Sequence, residues 1–276
     1  MKRLLAQIGF FVLHNPYLQN FFSGRIYDGK LKGFCAPGLN CYSCPAAAFS
    51  CPIGSLQNFF RGTGHNISLF VTGFLIAMGA AFGRFVCGFA CPMGFLQDLI
   101  YKAPTPKFRV RLRKLSYFKY IVLAAFVIIL PFSVRDYLSG LGYPWFCAYI
   151  CPSGTIFGAW PLLAANDFIR GMLGALFNIK TAVAIGLITM ALFINRFFCR
   201  VLCPLGAIYA MFNKISFVRI NHDKPACANC AKCSESCNLR LDPVKESSHP
   251  DCMRCGNCVR ACGEKALKYG TINKSN

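Results

Sequence analysis

Eighteen cysteines in 276 residues fall into a few repeated spacings, and these spacings restrict the fold more than any other feature of the chain. The sharpest spacing is C-x2-C-x2-C-x3-C, which occurs twice near the C-terminus, starting at Cys227 and at Cys252. A loop with this spacing wraps three thiolates around one four-iron cube, and the fourth thiolate reaches a neighbouring cube. A disulfide framework is disfavoured, because such frameworks are typical of short secreted domains and this chain is long and hydrophobic.

The tandem motifs predict two [4Fe–4S] clusters in a small α+β, ferredoxin-like domain at residues 216–276. Tail site A is assigned Cys227, Cys230, Cys233 and Cys262. Tail site B is assigned Cys252, Cys255, Cys258 and Cys237. Zinc is the competing metal, since C-x2-C pairs bind it as well, but two complete tandem motifs favour iron. The proline that commonly follows each fourth cysteine is replaced by Asn238 and Gly263, which leaves the ligand count unchanged.

Residues 1–215 form a different region, which we interpret as a helical membrane domain. Hydrophobic residues make up 55% of the chain, more than a soluble domain usually carries. Three uncharged stretches predict membrane spans, although each is shorter than the ~20 residues of a straight span. They cover residues 67–83, 120–134 and 181–195. A fourth and weaker stretch, 4–22, contains Pro16 and is expected to be kinked or partly interfacial.

The basic residues predict the orientation of this domain. Lys2 and Arg3, the 84–114 loop and the chain after Arg196 are strongly basic. By the positive-inside rule they face the cytoplasm, which gives a multi-pass protein of the cytoplasmic membrane with both termini inside. Segments 23–66 and 134–178 are then on the outer side.

Two loops within the outer segments carry no charge for most of their length. Residues 33–60 and 137–166 are rich in Cys, Gly and Pro. Irregular backbone without charge is typical of re-entrant segments buried in protein at membrane depth. A fifth span broken at Pro161 is the alternative for the second loop.

The net charge of +20 raises the question of a nucleic-acid partner. Much of this charge flanks apolar runs, where it orients a membrane protein. Four clusters of about −2 each would also lower the sum to about +12. The lipid bilayer is therefore the expected partner, and no nucleic acid is expected.

An internal repeat divides the membrane domain into halves at about 1–114 and 115–215. Residues 84–94 match residues 196–206, and both stretches contain C-x3-C-P. The spacing is expected to place the two thiols of each pair on one helix face. Four thiolates from the two halves then predict a third [4Fe–4S] cluster at the inner face, with buried free thiols or another metal as alternatives. Its ligands are Cys87, Cys91, Cys199 and Cys203.

Six cysteines remain, and the predicted topology puts them together near the outer face. They are Cys35, Cys41, Cys44, Cys51, Cys147 and Cys151. Six thiols hold one cube with two left over. The repeat favours Cys51, Cys147 and Cys151 as ligands, with Cys44 or Cys41 as the fourth. The spare pair is open to three interpretations: a disulfide, redox-active thiols, or part of an incomplete second cluster.

Repeated C-x3-C-P motifs at span ends, followed by a two-cluster ferredoxin tail, resemble the NapH-type polyferredoxins, whose relatives include NosR, YccM and CcoG. The resemblance covers nearly the whole chain. It implies that electrons pass between a cytoplasmic or quinol donor and a partner at the other membrane face. The Cys-rich 35–51 loop and the added Cys147/Cys151 pair depart from simpler members, and they favour a conduit through the membrane over quinol oxidation.

Three functions follow, and none assigns a catalytic residue. In the first, the chain is an electron-transfer component of an oxidoreductase system. It relays single electrons from a soluble ferredoxin, flavodoxin or reductase in the cytoplasm to an exported redox acceptor. In the second, it is a quinol-oxidising or quinone-reducing subunit, with a quinone as further cofactor. In the third, it is a redox sensor or assembly factor. The outer thiols separate them, because only the conduit requires an outer cluster.

Overall fold

The computed structural model describes residues 2–62, 69–135, 140–171 and 173–271, and it is mainly helical. The first half of the region predicted as the membrane domain begins with an apolar helix of 13 residues and ends with two short helices around a C-x3-C-P motif. Its helices are α1 (Lys2–His14), α2 (Asn20–Ser23), α3 (Pro52–Arg61), α4 (Leu69–Phe82), α5 (Phe85–Phe89) and α6 (Pro92–Ile100). A 3₁₀ turn at Lys30–Gly33 interrupts the loop before α3.

The second half repeats this order with longer helices. It consists of α7 (Leu115–Ser133), α8 (Phe146–Ile150), α9 (Gly154–Ala165), α10 (Asp167–Arg170), α11 (Ala175–Phe193), α12 (Phe197–Val201) and α13 (Pro204–Met211). The turns before Pro131 in α7 and Pro161 in α9 are π-helical. Proline lacks an N–H and its ring crowds the preceding turn, which accounts for the widening.

Two helices, α7 and α11, are long and apolar enough to cross a membrane, with 19 residues each. They contain nearly all of the predicted spans 120–134 and 181–195. Helix α4, with 14 residues, covers the described part of span 67–83, whose first two residues lie outside the described residues. The stretch 4–22 breaks after His14, two residues before Pro16. The four-span arrangement therefore stays a prediction.

The charge-free loops contain short helices and irregular backbone. The first three residues of 137–166 lie outside the described residues, and in the rest α8 and α9 are separate helices on either side of Cys151. Helix α9 continues through Pro161, and it is too short to span a bilayer. Between His14 and Pro52, the loop of the first half contains only α2 and the 3₁₀ turn as helices.

Three helices begin directly after a cysteine with proline, at Cys51, Cys91 and Cys203, and after Cys151 the helical residues Pro152 and Ser153 lead into α9. Each cysteine has extended backbone and the following proline takes the first helical turn. Proline suits this position because its fixed φ is helical and its missing N–H has no intrahelical acceptor there. The expectation that both cysteines of a C-x3-C pair lie on one helix is therefore wrong. The helix ends between them, and the second thiol lies at the start of the next helix, where free N–H groups favour a thiolate.

The tail carries a two-stranded antiparallel sheet, β1 (Arg219–His222) with β2 (Leu267–Gly270), and two short helices, α14 (Lys232–Glu235) and α15 (Asn257–Ala261). The segment after Cys237 packs on the membrane domain. Asp251, 2% exposed, accepts from Lys119 at 2.7 Å and forms an ion pair with Arg84 at 3.3 Å. Burial alone would raise the pKa of Asp251, but Arg84 and Lys119 hold it below its usual value.

Two buried arginines at equivalent repeat positions join the halves. Arg84 donates to the carbonyl of Cys199 at 2.7 Å, and Arg196 donates to the carbonyl of Cys87. Arg196 also forms hydrogen bonds with both carboxylate oxygens of Asp98, at 2.8 and 2.6 Å. Buried charges need such partners, because an unpaired one destabilises a protein strongly. In each half, the arginine of the repeated motif thus donates to a cysteine carbonyl of the other half.

Candidate metal centres

The four thiols assigned to tail site A line one cavity of about 300 Å³. They are Cys227, Cys230, Cys233 and Cys262. Cys230 is exposed and the cavity is open to the surface of the tail. Tail site A is therefore the thiol set most accessible to a soluble partner.

The thiols assigned to tail site B line a second, much smaller cavity of about 30 Å³. They are Cys237, Cys252, Cys255 and Cys258. Burial, together with the neighbouring thiols of Cys255 and Cys252, raises the pKa of Cys258 to about 12. Unlike tail site A, this set lies beside the membrane domain, where Asn213 donates to the carbonyl of Cys252 at 3.0 Å.

The loops of the two tail sites share a backbone pattern. Asn229 and Ala231 have left-handed φ angles in the first motif, as do Arg254 and Gly256 at the same positions in the second. These paired left-handed residues curve each loop so that three cysteines face one point. A Cβ at Gly256 would lie 2.4 Å from the Tyr269 hydroxyl, so this position has no room for a side chain.

The predicted inner set, which we call the paired-motif site, is buried between the two halves. Its thiols are Cys87, Cys91, Cys199 and Cys203, all under 9% exposed. Burial raises the pKa of Cys203 well above its usual value, and nearby Cys199, Cys87 and Cys91 add to the shift. Gln97 donates to the Cys199 sulfur at 3.0 Å, and the Gly206 N–H donates to the Cys203 sulfur at 3.3 Å.

Four of the six remaining thiols line a larger cavity of about 700 Å³, which we call the loop site. They are Cys41, Cys51, Cys147 and Cys151. Cys147 and Cys151 belong to a third complete C-x3-C-P motif. The matching position before Cys51 is Ala47, and Cys41 occupies the place of the missing thiol in the cavity. Gln57 lies 3.7 Å from the Cys147 sulfur.

Cys35 and Cys44 do not line this cavity. Cys35 lies 3.9 Å from the Ser55 hydroxyl. Cys44 lies 3.7 Å from the Asn15 amide oxygen, in an apolar cluster with Ala46 against which Cys41 packs. Both thiols are free. Of the two candidates for a fourth ligand, Cys41 and Cys44, the structure thus brings only Cys41 to the loop site.

The donor sets have the chemistry that a four-iron cube requires. Tail site A, tail site B and the loop site each have four thiols around one cavity. A cube binds four thiolates, one at each iron. At the loop site, the buried Ser153 hydroxyl and Arg61 Nε lack hydrogen-bond partners among the described residues, and both suit an anionic iron–sulfur group.

Two glutamines near the sulfurs were not predicted from the sequence. Gln57 and Gln97 each follow a Cys-Pro by the same number of residues, within C-P-x-G-x-L-Q. Each is buried and reaches the first thiol of a C-x3-C-P motif in the other half. The repeated Gln within two Cys-Pro helices was the available signal.

A short segment connects the loop site with the paired-motif site. The Leu39 N–H donates to the Cys91 sulfur at 3.3 Å, and two residues later Cys41 lines the loop site. The Tyr209 hydroxyl holds the same segment by donating to the Pro37 carbonyl at 2.8 Å. A Cβ at Gly38 would lie 2.7 Å from the Cys91 Cα, so only glycine permits this approach. One hydrogen bond and a two-residue stretch of backbone thus join the two sites.

Comparisons with known proteins show similarity to iron–sulfur proteins. A family model described as a 4Fe-4S binding domain matches residues 63–115 and 181–221, the stretches that hold the paired motifs. An uncharacterized protein of Methanocaldococcus jannaschii is 26% identical over 81% of this chain and 79% of its own length. No solved structure matches the chain.

Three relatives have names that describe a protein type. The putative electron transport protein YccM of Escherichia coli (strain K12) is 25% identical over 64% of this chain and 48% of its own length. The ferredoxin-type protein NapH of Haemophilus influenzae is 37% identical over 26% of this chain and 29% of its own length. The regulatory protein NosR of Stutzerimonas stutzeri also matches, over 62% of this chain. Its paired motifs lie inside the matched 4Fe-4S binding domain, and the chain thus resembles the NapH/NosR/YccM-like [4Fe–4S] polyferredoxins.

Proposed function

We propose that this chain carries single electrons across the cytoplasmic membrane, from a cytoplasmic reductant to an exported acceptor. The observation that carries the proposal is the Pro37–Cys41 segment. It makes a direct contact between thiol sites that the predicted topology assigns to opposite faces. Electron tunnelling decays steeply with distance, so a conduit needs such an approach.

The proposed order of sites follows from exposure and contact. Tail site A is the open one, and tail site B lies on the membrane domain. The Met253 sulfur, next to Cys252, accepts from Arg196 at 3.2 Å, and Arg196 contacts the Cys87 carbonyl. These contacts bring tail site B to the paired-motif site, and the Pro37–Cys41 segment continues to the loop site. Four [4Fe–4S] clusters in these sites would supply one-electron carriers that need little rearrangement.

The residues around the sites hold the donors and exclude water. The thiols of the paired-motif site are buried between the halves, and Arg84 and Arg196 fix the backbone at Cys199 and Cys87. Gln97 and the backbone N–H groups of Leu39 and Gly206 supply hydrogen bonds to sulfur, which tune reduction potentials.

The two proposed ends differ in surroundings. A soluble ferredoxin, flavodoxin or reductase would meet tail site A at its exposed Cys230. Part of the basic 107–114 run contacts the tail: Arg109 donates to the Glu235 carbonyl at 2.9 Å and Arg111 forms an ion pair with Glu246.

An exported acceptor would meet the loop site. Two helices of spanning length, with the shorter apolar α1, α4 and α9, support a location in the membrane. The basic segments support termini in the cytoplasm.

The test compares two double variants. Full-length protein with Cys147→Ser and Cys151→Ser should lose about four of about 16 irons per chain, together with one EPR signal. In proteoliposomes it should stop passing electrons from an external reductant to a trapped acceptor. Cys35→Ser with Cys44→Ser is the matched control and should keep both iron and electron flux. An unchanged iron content and flux in the first variant would refute the conduit.

A further inference from the structure

The cavity at the loop site is larger than the cavities at the two tail sites. Its volume is about 700 Å³, against about 300 Å³ at tail site A and about 30 Å³ at tail site B, although each is lined by four thiols. A cavity of this volume falls within the size range of small-molecule pockets, roughly 300–1,000 Å³.

Besides the thiols, positively charged and hydrogen-bonding side chains line the cavity of the loop site. Lys180 and Arg61 both line the cavity, with Ser153, Asn58 and the ring of Tyr143. Within the described part of the chain, neither Asp nor Glu lines it, and neither Lys180 nor Arg61 takes part in a salt bridge. Two cations without a carboxylate partner in one cavity favour an anionic occupant.

Lys180 and Arg61 lie in different parts of the cavity. The point where a Cβ at Gly154 would lie is 3.5 Å from the Cys41 sulfur and 3.8 Å from the Lys180 ammonium, so Lys180 lies beside the thiols. Arg61 lies against the chain at Gly142, whose N–H donates to the Arg61 carbonyl at 3.0 Å. The Nε of Arg61 is buried and has no hydrogen-bond partner among the described residues. The cavity thus has one cation, Lys180, next to the sulfurs and a second, Arg61, beside Gly142.

We propose that the loop site binds a small organic anion beside its thiols, with Arg61 and Lys180 as the groups that hold it. This rests on the proposed function, because the anion would be the acceptor at the end of the relay. In each transfer the site loses one electron and the anion gains one, without a bond forming or breaking. Neutralisation of a cluster by the same two cations is the competing explanation.

The test measures binding and not electron transfer. Cluster-loaded full-length protein in detergent is dialysed to equilibrium against naphthalene-2-sulfonate, with naphthalene-2-methanol as the neutral probe and protein-free micelles as background. Wild-type protein should bind one sulfonate per chain. Arg61→Gln and Lys180→Met should each weaken this binding about tenfold, as loss of a charge-assisted hydrogen bond predicts. Arg25→Gln removes an exposed cation outside the cavity and should bind like wild type.

Two results would overturn the proposal. One is equal sulfonate binding by wild type, Arg61→Gln and Lys180→Met. The other is loss of about four irons per chain in either variant, because the cations would then serve the cluster. The proposed function fails separately: sulfonate binding with undiminished flux in the Cys147→Ser/Cys151→Ser protein would keep the anion site and reject the conduit.

Discussion

At the scale of single residues, buried amides and backbone N–H groups matter as much as the cysteines. Gln97 donates to the Cys199 sulfur, and the Leu39 N–H donates to the Cys91 sulfur. Hydrogen bonds to sulfur stabilise the reduced and more negative state of an iron–sulfur site, so they raise its potential. These residues therefore belong to the candidate sites although they would ligate no metal.

Replacing Gln97 with Leu is expected to lower the reduction potential of the paired-motif site alone. The loss of one hydrogen bond of roughly 1.4 kcal/mol corresponds to about 60 mV for a one-electron couple. Gln57→Leu is the matched variant and should shift the loop site instead, by less, because its contact with sulfur is longer. EPR-monitored redox titration distinguishes the two. Equal shifts of one shared signal would contradict the assignment.

Gly38→Ala tests the segment that joins the two membrane sites. The added methyl would lie 2.7 Å from the Cys91 Cα and must push the Pro37–Cys41 segment away. We expect a loss of about 1–3 kcal/mol in stability and slower electron transfer between the sites. Gly33→Ala is the control, since a Cβ there has no neighbour within 4 Å. Thermal unfolding and stopped-flow oxidation report the two effects, and identical behaviour of both variants would count against the segment as the connection.

At the scale of elements, the Cys-Pro helix start is the repeated unit. It places Cys91 and Cys203 in the paired-motif site, and Cys51 and Cys151 in the loop site. Each membrane site thus receives one helix-start cysteine from each half. The C-x3-C spacing alone suggested one continuous helix, but proline at the next position ends the preceding helix and starts a new one.

The tail is attached to the membrane domain through Asp251. Asp251→Asn leaves Arg84 and Lys119 buried without their carboxylate, which is expected to cost about 3–5 kcal/mol. The measurement is thermal unfolding together with limited proteolysis near residues 215–218, where cleavage should become faster. Asp223→Asn changes an exposed carboxylate and should stay within about 0.5 kcal/mol of wild type. Unchanged proteolysis of Asp251→Asn would show that other contacts hold the tail.

At the scale of the whole molecule, both halves contribute cysteines to each of the two membrane sites, and arginines and glutamines of each half contact the other half. The predicted orientation puts the loop site at the outer face and the tail inside. Reporter fusions after residue 40 and after residue 271 should therefore report opposite sides of the membrane, with a fusion after residue 103 matching the C-terminal one. A cytoplasmic result at residue 40 would put all thiol sites on one side and remove the conduit.

Much of this arrangement was predictable from the chain. The tandem spacings grouped the tail thiols as the structure places them, because three ligands within seven residues must face one point. The repeat likewise indicated that Cys87 and Cys91 meet Cys199 and Cys203. The helical character followed from long apolar stretches, although among the described residues only α7 and α11 reach spanning length.

The sequence by itself determined the kind of chemistry, because the number and the spacing of the cysteines determine which metal group a local stretch of backbone can bind. Only the tertiary structure decided that Cys41, and not Cys44 or Cys35, joins Cys51, Cys147 and Cys151. It also decided that Leu39 meets Cys91, and that Arg61 and Lys180 line one cavity. These contacts join residues far apart in the chain through irregular loops. Such backbone has no periodicity to reveal its course, and its position depends on what packs against it.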